Sequence, residues 1–373
     1  MRSGHIFHLG VKEIRSLLRD PILLVLIVWA FTFSIYVAST AAPETLTKAP
    51  IAIVDEDGSP LSERIISAFY PPYFLPPVQI GPAEMDARMD EGLDTFALDI
   101  PPNFQRDVLA GRSPAIQLNV DATRMSQAFT GSAYVQAIVL GEIRAFLQGV
   151  RTEPETPVGL AIRARFNPEL NKRWFGAIIE LVNQVTMLSI ILTGAALIRE
   201  REHGTIEHLL AMPVTPFEIM TAKVWSMALV VLIACTGSLF AVVQGLLEVP
   251  IEGSIPLFLL GVAFNLFATT SMGIFLGTIA RSMPQLGLLT ILVLLPLELL
   301  SGGATPRESM PEIVQTIMLA APTTHFVLLS QAILYRAGGL DVAWPQFAAL
   351  AAIGGVLFTI AALRFRSTIG TMA

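Results

Sequence analysis

The feature that most constrains the fold is a run of seventeen residues, Ile22 to Ala38, without one charged side chain. A water-soluble helix rarely withholds charge over almost five turns, whereas a helix in hydrocarbon must. Comparable runs recur at 176–198, 224–246, 255–280, 284–303 and 343–363, each bounded by charge, Pro or Gly. About twenty apolar residues cover the ~30 Å of a bilayer core as helix. The pattern predicts six transmembrane helices. Composition agrees: hydrophobic residues make up 53% of the 373 and charged residues only 14%, a balance displaced toward lipid-embedded chains.

Ahead of the first run, residues 6–19 put Phe7, Val11, Ile14 and Leu18 on one helical face and Lys12, Arg15 and Arg19 on another. This amphipathic spacing suits a helix lying on a membrane surface, here residues 1–20. Asp20-Pro21 then starts the first span, 21–39, with Trp29 and Tyr36 placed for its interfaces. A cleavable signal is the rival reading, because Ala38, Ser39, Ala41 and Ala42 follow. The apolar core of such signals usually ends by about 15 residues, and the basic stretch here is long and patterned.

Between Thr40 and Trp174 the character reverses: twelve Lys/Arg and seventeen Asp/Glu fall in that segment. It reads as a folded, water-exposed domain of residues 40–174. Ile51–Val54, Phe96–Ile100 and Ile116–Val120 have strand composition, bounded by turn signals such as Asp57-Gly58-Ser59-Pro60 and Pro101-Pro102. Leu61–Phe69, Glu84–Glu91, Asn103–Ala110 and Arg124–Leu147 have helical spacing, so an α/β domain with a mixed sheet is expected. Short loops on the side of the N-terminal arm carry ten Lys/Arg, those on the other side two. The asymmetry puts both termini in the cytoplasm and the domain outside it. The fold class expected is therefore membrane all-α: six transmembrane helices with an α/β extracytoplasmic domain inserted between helices 1 and 2, and helices 2–6 within 175–373.

The net charge of −6, concentrated in that domain, gives no footprint for nucleic acid. Cys235, the single cysteine, lies in an apolar run and has no intrachain partner. No G-x-x-x-x-G-K-[ST] phosphate loop, H-E-x-x-H, C-x-x-C or G-x-S-x-G occurs. His5/His8 and His203/His208 lack adjoining ligands, so neither a metal site nor a catalytic centre is expected.

The densest polar pattern in the helical part is Arg199-Glu200-Arg201-Glu202-His203-Gly204-Thr205-Ile206-Glu207-His208-Leu209-Leu210, continuing through Met212-Pro213. Alternating charge, then Gly, then an amphipathic turn ended by Pro describes a helix presenting a docking face in the loop 199–223. It reads equally as a solvated loop whose arginines enforce topology.

This segment resembles ABC-2 type permeases, the membrane subunits of ATP-binding cassette exporters, in which the pattern "E.G..E.L...P" precedes the helix that seats on the ATPase. Glu202, Gly204, Thr205, Glu207, Leu209, Leu210 and Pro213 fit that pattern. The later run "SGGATPRESMPEIVQTIMLAAPTTHFV" is similar to the family's segment between its last two spans, with Ser301-Gly302, Pro306, Met310-Pro311 and Pro322-Thr323-Thr324-His325-Phe326 in place. The resemblance extends to the branch with a large outer insertion, like bacterial multidrug-efflux permeases. It implies an inner-membrane exporter subunit, ATPase subunits that carry the ATP and Mg while this chain holds no cofactor, a second permease identical or paralogous, and a possible periplasmic adaptor. Arg199, Glu200 and His203 belong to the same expected ATPase-coupling surface.

Other polar residues sit where lipid would penalise them by roughly 3 kcal/mol when ionised. Glu180, Asn183 and Gln184 follow at i, i+3 and i+4 on one helical face; Asn265 stands alone; Glu298 follows Pro296. Each is a candidate for the pathway or a subunit interface. For Asn265 and Gln184 the alternative is hydrogen bonding between helices, and for Glu180 and Glu298 a reach to water at a helix end. Gly273-x-x-x-Gly277 favours close helix packing. Glu312–Ala320 and Phe326–Tyr335 are too short to cross, so a re-entrant hairpin at 304–338 is expected, containing Pro306, Met310, Pro311, Pro322, Thr324 and His325. Its rival is a helix pair lying flat on the surface. Two further functions stay open: a membrane-anchored receptor or assembly scaffold, which one or two spans would serve, and an ion-coupled secondary transporter, for which duplicated halves would be expected.

Overall fold

A computed structural model describes residues 2–40, 46, 48–123, 125–149, 172–202 and 214–370. The chain divides into two compact units, Pro43–Arg163 and a second formed by Met1–Ala42 with Ala164–Ala373.

The smaller unit is built on a four-stranded mixed sheet, β1 (Ile51–Asp55), β2 (Val78–Gln79), β3 (Phe96–Ile100) and β4 (Gln117–Val120), in the order β2-β1-β3-β4. β1 runs parallel to both neighbours and β3 antiparallel to β4, with Ile51 opposite Phe96 and Phe96 opposite Val120. Alternation assigns the faces. Ile51, Ile53, Phe96, Leu98 and Ile100 point into the main core with Leu61, Ile65, Phe69, Phe74, Val135 and Val139. Ala52, Val54 and Ala97 meet Met85 on the other side. The helices Pro60–Ser67 and Met125–Gln148 cover the main face. Gly131 lets the long helix approach, since a Cβ there would collide with the Phe96 ring. The expected strands and mixed sheet are present; the two-residue β2 was not anticipated, being too short to leave a periodic signal.

The larger unit begins with the amphipathic helix Arg2–Leu18. Asp20 caps the next helix by accepting from the Ile22 and Leu23 backbone N–H groups, with Pro21 in its first turn. Five helices are long and apolar enough to cross a membrane: Pro21–Thr40, Arg173–Glu202, Pro216–Leu246, Ile255–Ile279 and Leu340–Arg366. They are called here the first, second, third, fourth and last spans. Two features bear on the expected six, which the described residues support as five or six.

The helix expected at 284–303 is Met283–Leu299, 17 residues, rising only about 26 Å. It stops where Leu300 N–H bonds back to Pro296 and Gly302 takes a left-handed φ of +96°. Glu312–Met318 and Pro322–Tyr335 meet at 89°, so they count either as a broken sixth span or as a re-entrant pair.

The third span begins at Pro216, eight residues before the expected 224. Thr215 and Glu218 form a reciprocal capping box, each satisfying the other's backbone N–H. Residues 216–223, expected in a loop, are therefore helix.

The second span lies at the centre of this unit, with Leu181, Val185, Leu188 and Leu192 fully buried. The fourth span packs closely against it. A Cβ on Gly273 would stand 2.6 Å from the Ile190 carbonyl oxygen, and one on Gly277 3.3 Å from that of Gly194. The Gly-x-x-x-Gly spacing thus serves a contact within this one chain.

Candidate functional site

Four successive charged residues close the second span, and each is tied to a different place. Arg199 Nη1 donates to Asp20 Oδ2 at 2.9 Å, and Arg201 Nη1 donates to the Ala280 carbonyl at 2.6 Å. Glu202 Oε1 accepts from the Met283 backbone N–H at 3.1 Å. Glu200 is buried and receives two cations: Lys223 Nζ at 2.8 Å and Lys12 Nζ at 3.1 Å.

Lys223 is the centre of this arrangement, only 1% exposed. Besides Glu200 it reaches Glu13 Oε1 at 3.1 Å and donates to the Ala196 carbonyl at 3.3 Å. Its three partners satisfy its three donors. Glu13 belongs to the N-terminal helix, Glu200 to the second span and Lys223 to the third. Burial pushes the Glu13 carboxyl above its ordinary range, and Lys223 opposes that rise. Nearby, Trp225 Nε1 donates to the Ile6 carbonyl at 3.2 Å and the Trp225 ring stacks on Phe7. Gly10 is required at this contact, because a Cβ would strike the Trp225 indole.

The residues on either side of 203–213 are thus locked to one another and to the N-terminal helix. His203, Gly204, Thr205, Glu207, Leu209, Leu210 and Pro213, the rest of the expected coupling surface, lie outside the described residues. Of the expected surface that is described, Arg199 and Glu200 are engaged within the chain, while Glu202 stays exposed with one carboxylate oxygen on the Met283 backbone N–H. Glu13, Lys12 and Lys223 were missed. Lys223 fell in an expected loop, and no local spacing joins positions 188 or 210 residues apart.

A second polar group lies where the first and second spans meet. Ser34 ends a π-helical turn, Ala30–Ser34, a wide turn that often marks a site. Its hydroxyl donates to Glu180 Oε1 at 2.8 Å. Gln184 Nε2 donates to that carboxylate oxygen at 2.6 Å and to Ser34 Oγ at 2.9 Å. Asn183 is half-buried beside them. Glu298, on the short helix, is half-buried within electrostatic reach of Glu180.

Asn265 is removed from this group. It is fully buried on the fourth span, where Nδ2 donates to Thr186 Oγ1 at 3.4 Å, above a Ser189 to Thr269 hydroxyl bond of 2.6 Å. It joins two helices of the same chain.

In the bent pair, Pro311 precedes the first helix and Pro322 starts the second, while Met310 is buried and Pro306 opens the preceding turn. Ile313 and Ile317 of the first helix are exposed, whereas Thr324, Phe326 and Leu329 of the second are buried. His325 contacts the Leu319 carbonyl through Nε2 at 2.9 Å and Gln346 Oε1 through Nδ1 at 2.7 Å. It fastens the bend to the last span. Tyr335 Oη donates to the Trp174 carbonyl at 2.9 Å, holding the far end to the second span. Among the described residues no group of three His, Cys, Asp or Glu side chains could hold a metal ion.

The sequence profile of the ABC-2 family transporter protein matches residues 21–363. The chain is 65% identical over 369 residues to the inner membrane transport permease YhhJ of Escherichia coli (strain K12), covering 99% of each. It is 26% identical over 358 residues to the probable multidrug ABC transporter permease YbhR of the same organism, covering 95% of this chain and 96% of that one. To the probable multidrug ABC transporter permease YbhS it is 26% identical over 352 residues, covering 90% and 89%.

Proposed function

The chain belongs to the ABC-2 family of transporter proteins, and on that premise we propose that it is the permease subunit of an ATP-driven exporter. In this reading two such subunits, identical or paralogous, enclose a pathway in the bacterial inner membrane, and separate ATPase subunits supply ATP and Mg. Both termini are cytoplasmic. The unit Pro43–Arg163 lies on the periplasmic side, where it shapes substrate exit or meets an adaptor protein.

The observation that carries this reading is the mounting of segment 203–213. The resemblance puts the ATPase-docking helix there, and the residues before and after it are ion-paired through Glu200 and Lys223 to each other and to Glu13. A docking helix on a pliant loop would lose the ATPase motion locally. One whose base is locked to three helices passes it on as a rigid displacement. The relatives named as probable multidrug permeases favour efflux of small organic molecules.

The test is transport in vesicles holding the permease and an ATP-binding cassette subunit. Transport is expected to require ATP hydrolysis and to survive collapse of the proton gradient. Transport that persisted without ATP and stopped with the gradient would replace this reading with an ion-coupled carrier using Glu180 or Glu298.

A further inference from the structure

At the junction of Ser34, Glu180, Gln184 and Glu298 acceptor oxygens outnumber donors, the Ser34 hydroxyl and the Gln184 amide being the only side-chain donors among the four residues. Only the amino end of the Gln184 amide can face a carboxylate, and it does, at 2.6 Å from Glu180 Oε1. That fixes the amide and leaves Gln184 Oε1 as the surplus end, buried and without a hydrogen-bond partner. Gln184 itself is 6% exposed. The Glu298 carboxylate makes no hydrogen bond or ion pair among the described residues, although its backbone carbonyl accepts from Ser301 Oγ at 3.0 Å. Two carboxylates, each only partly exposed, repel each other, and the buried carbonyl oxygen beside them has no hydrogen-bond partner. A cation removes both penalties at once.

The surroundings specify the kind of cation. No metal-holding group exists among the described residues, and two carboxylates on separate helices with one amide oxygen fall short of the six oxygens that hard cations take. Leading from Glu298 along its helix, Leu295, Ile291 and Leu288 follow at three, seven and ten residues, all exposed. That is one apolar stripe ending in a carboxylate. We infer that this junction is the headgroup site for a transported organic cation, an ammonium held by Glu180, Glu298 and Gln184 Oε1 with its apolar body along Leu295, Ile291 and Leu288. The inference rests on the reading of the chain as a transporter and adds the substrate class.

The experiment uses the full-length permease in phosphatidylcholine nanodiscs, whose zwitterionic lipid creates no preference for cations, with no ATPase present. Two fluorescent probes differing by one charge are titrated: dansylcadaverine, a primary ammonium, and its neutral N-acetyl derivative. Wild type is expected to bind the ammonium at least about tenfold more tightly, the scale of one charged hydrogen bond. Glu298→Gln and Glu180→Gln should each lower ammonium affinity by about that factor and leave the neutral probe unchanged. Retained neutral binding also reports that the variants fold. A wild type that does not discriminate, variants that keep the discrimination, or equal losses for both probes would overturn the site. Because no ATPase takes part, failure here leaves the coupling proposal standing, and failure of coupling leaves this result interpretable.

Discussion

Lys223 Nζ stands 2.8 Å from Glu200 Oε2 across the base of the segment 203–213, with both residues less than a tenth exposed. Removing one member of a buried ion group costs more than the group contributes, because the partners stay behind without compensation.

Lys223→Met should therefore destabilise the protein by about 3–5 kcal/mol, leaving Glu13 and Glu200 facing each other. Replacing all three, Lys223→Met with Glu13→Leu and Glu200→Leu, should recover most of the loss, since apolar substitutes of similar volume are often neutral. Thermal unfolding in detergent checks both. A triple variant no better than the single one would mean that the loss comes from packing rather than stranded charge.

The two carboxylates of the group are not equivalent. Glu200 faces Lys223 and Lys12 at 2.8 and 3.1 Å, while Glu13 stands 3.1 and 3.9 Å from the same two cations and is raised by burial. Glu13→Gln should be tolerated and Glu200→Gln should not. The pH sign follows from linkage: a carboxyl raised in the folded state binds more protons folded than unfolded. Its penalty is absent at low pH and grows as pH rises from the ordinary carboxylate range through the raised value. Melting temperature followed over pH 4–8 should show this component in wild type and lose it in Glu13→Gln; an unchanged profile would contradict the assignment.

Gly273→Ala forces a methyl to within 2.6 Å of a backbone oxygen that cannot rotate away, so the second and fourth spans must separate. Gly237→Ala meets nothing within 4 Å and removes a helix-weakening glycine, favourable by up to about 1 kcal/mol. Unfolding measurements on the pair should move in opposite directions. Equal shifts would show that close approach at Gly273 is unimportant.

What could be read from the sequence was whatever local spacing encodes. Asp20-Pro21 gave a true cap, Glu180 and Gln184 at i and i+4 do bond to each other, and Gly273-x-x-x-Gly277 does face a helix. The strands Ile51–Asp55 and Phe96–Ile100 were visible because each carries an apolar run, Ile51–Val54 and Phe96–Leu98, as strands buried on two faces do. Charge misled where it is buried by distant partners. Glu218 and Lys223 made residues 216–223 look like loop, although one closes a capping box and the other is the least exposed lysine among the described residues. Glu200, equally charged in sequence, is buried by partners 23 and 188 residues away. Composition also overran the short helix, since Leu299 and Leu300 continue the apolar run that Gly302 ends by its backbone alone.

The segment flanked by this locked base is the proposed seat of an ATPase. Its most direct test is co-purification of the detergent-extracted permease with an ATP-binding cassette subunit, in wild type and in Glu207→Arg. Wild type should retain the ATPase and drive ATP-dependent export, and the charge reversal should lose both while the permease stays folded. Wild type that retains no such subunit, or a variant that keeps both the subunit and export, would contradict it.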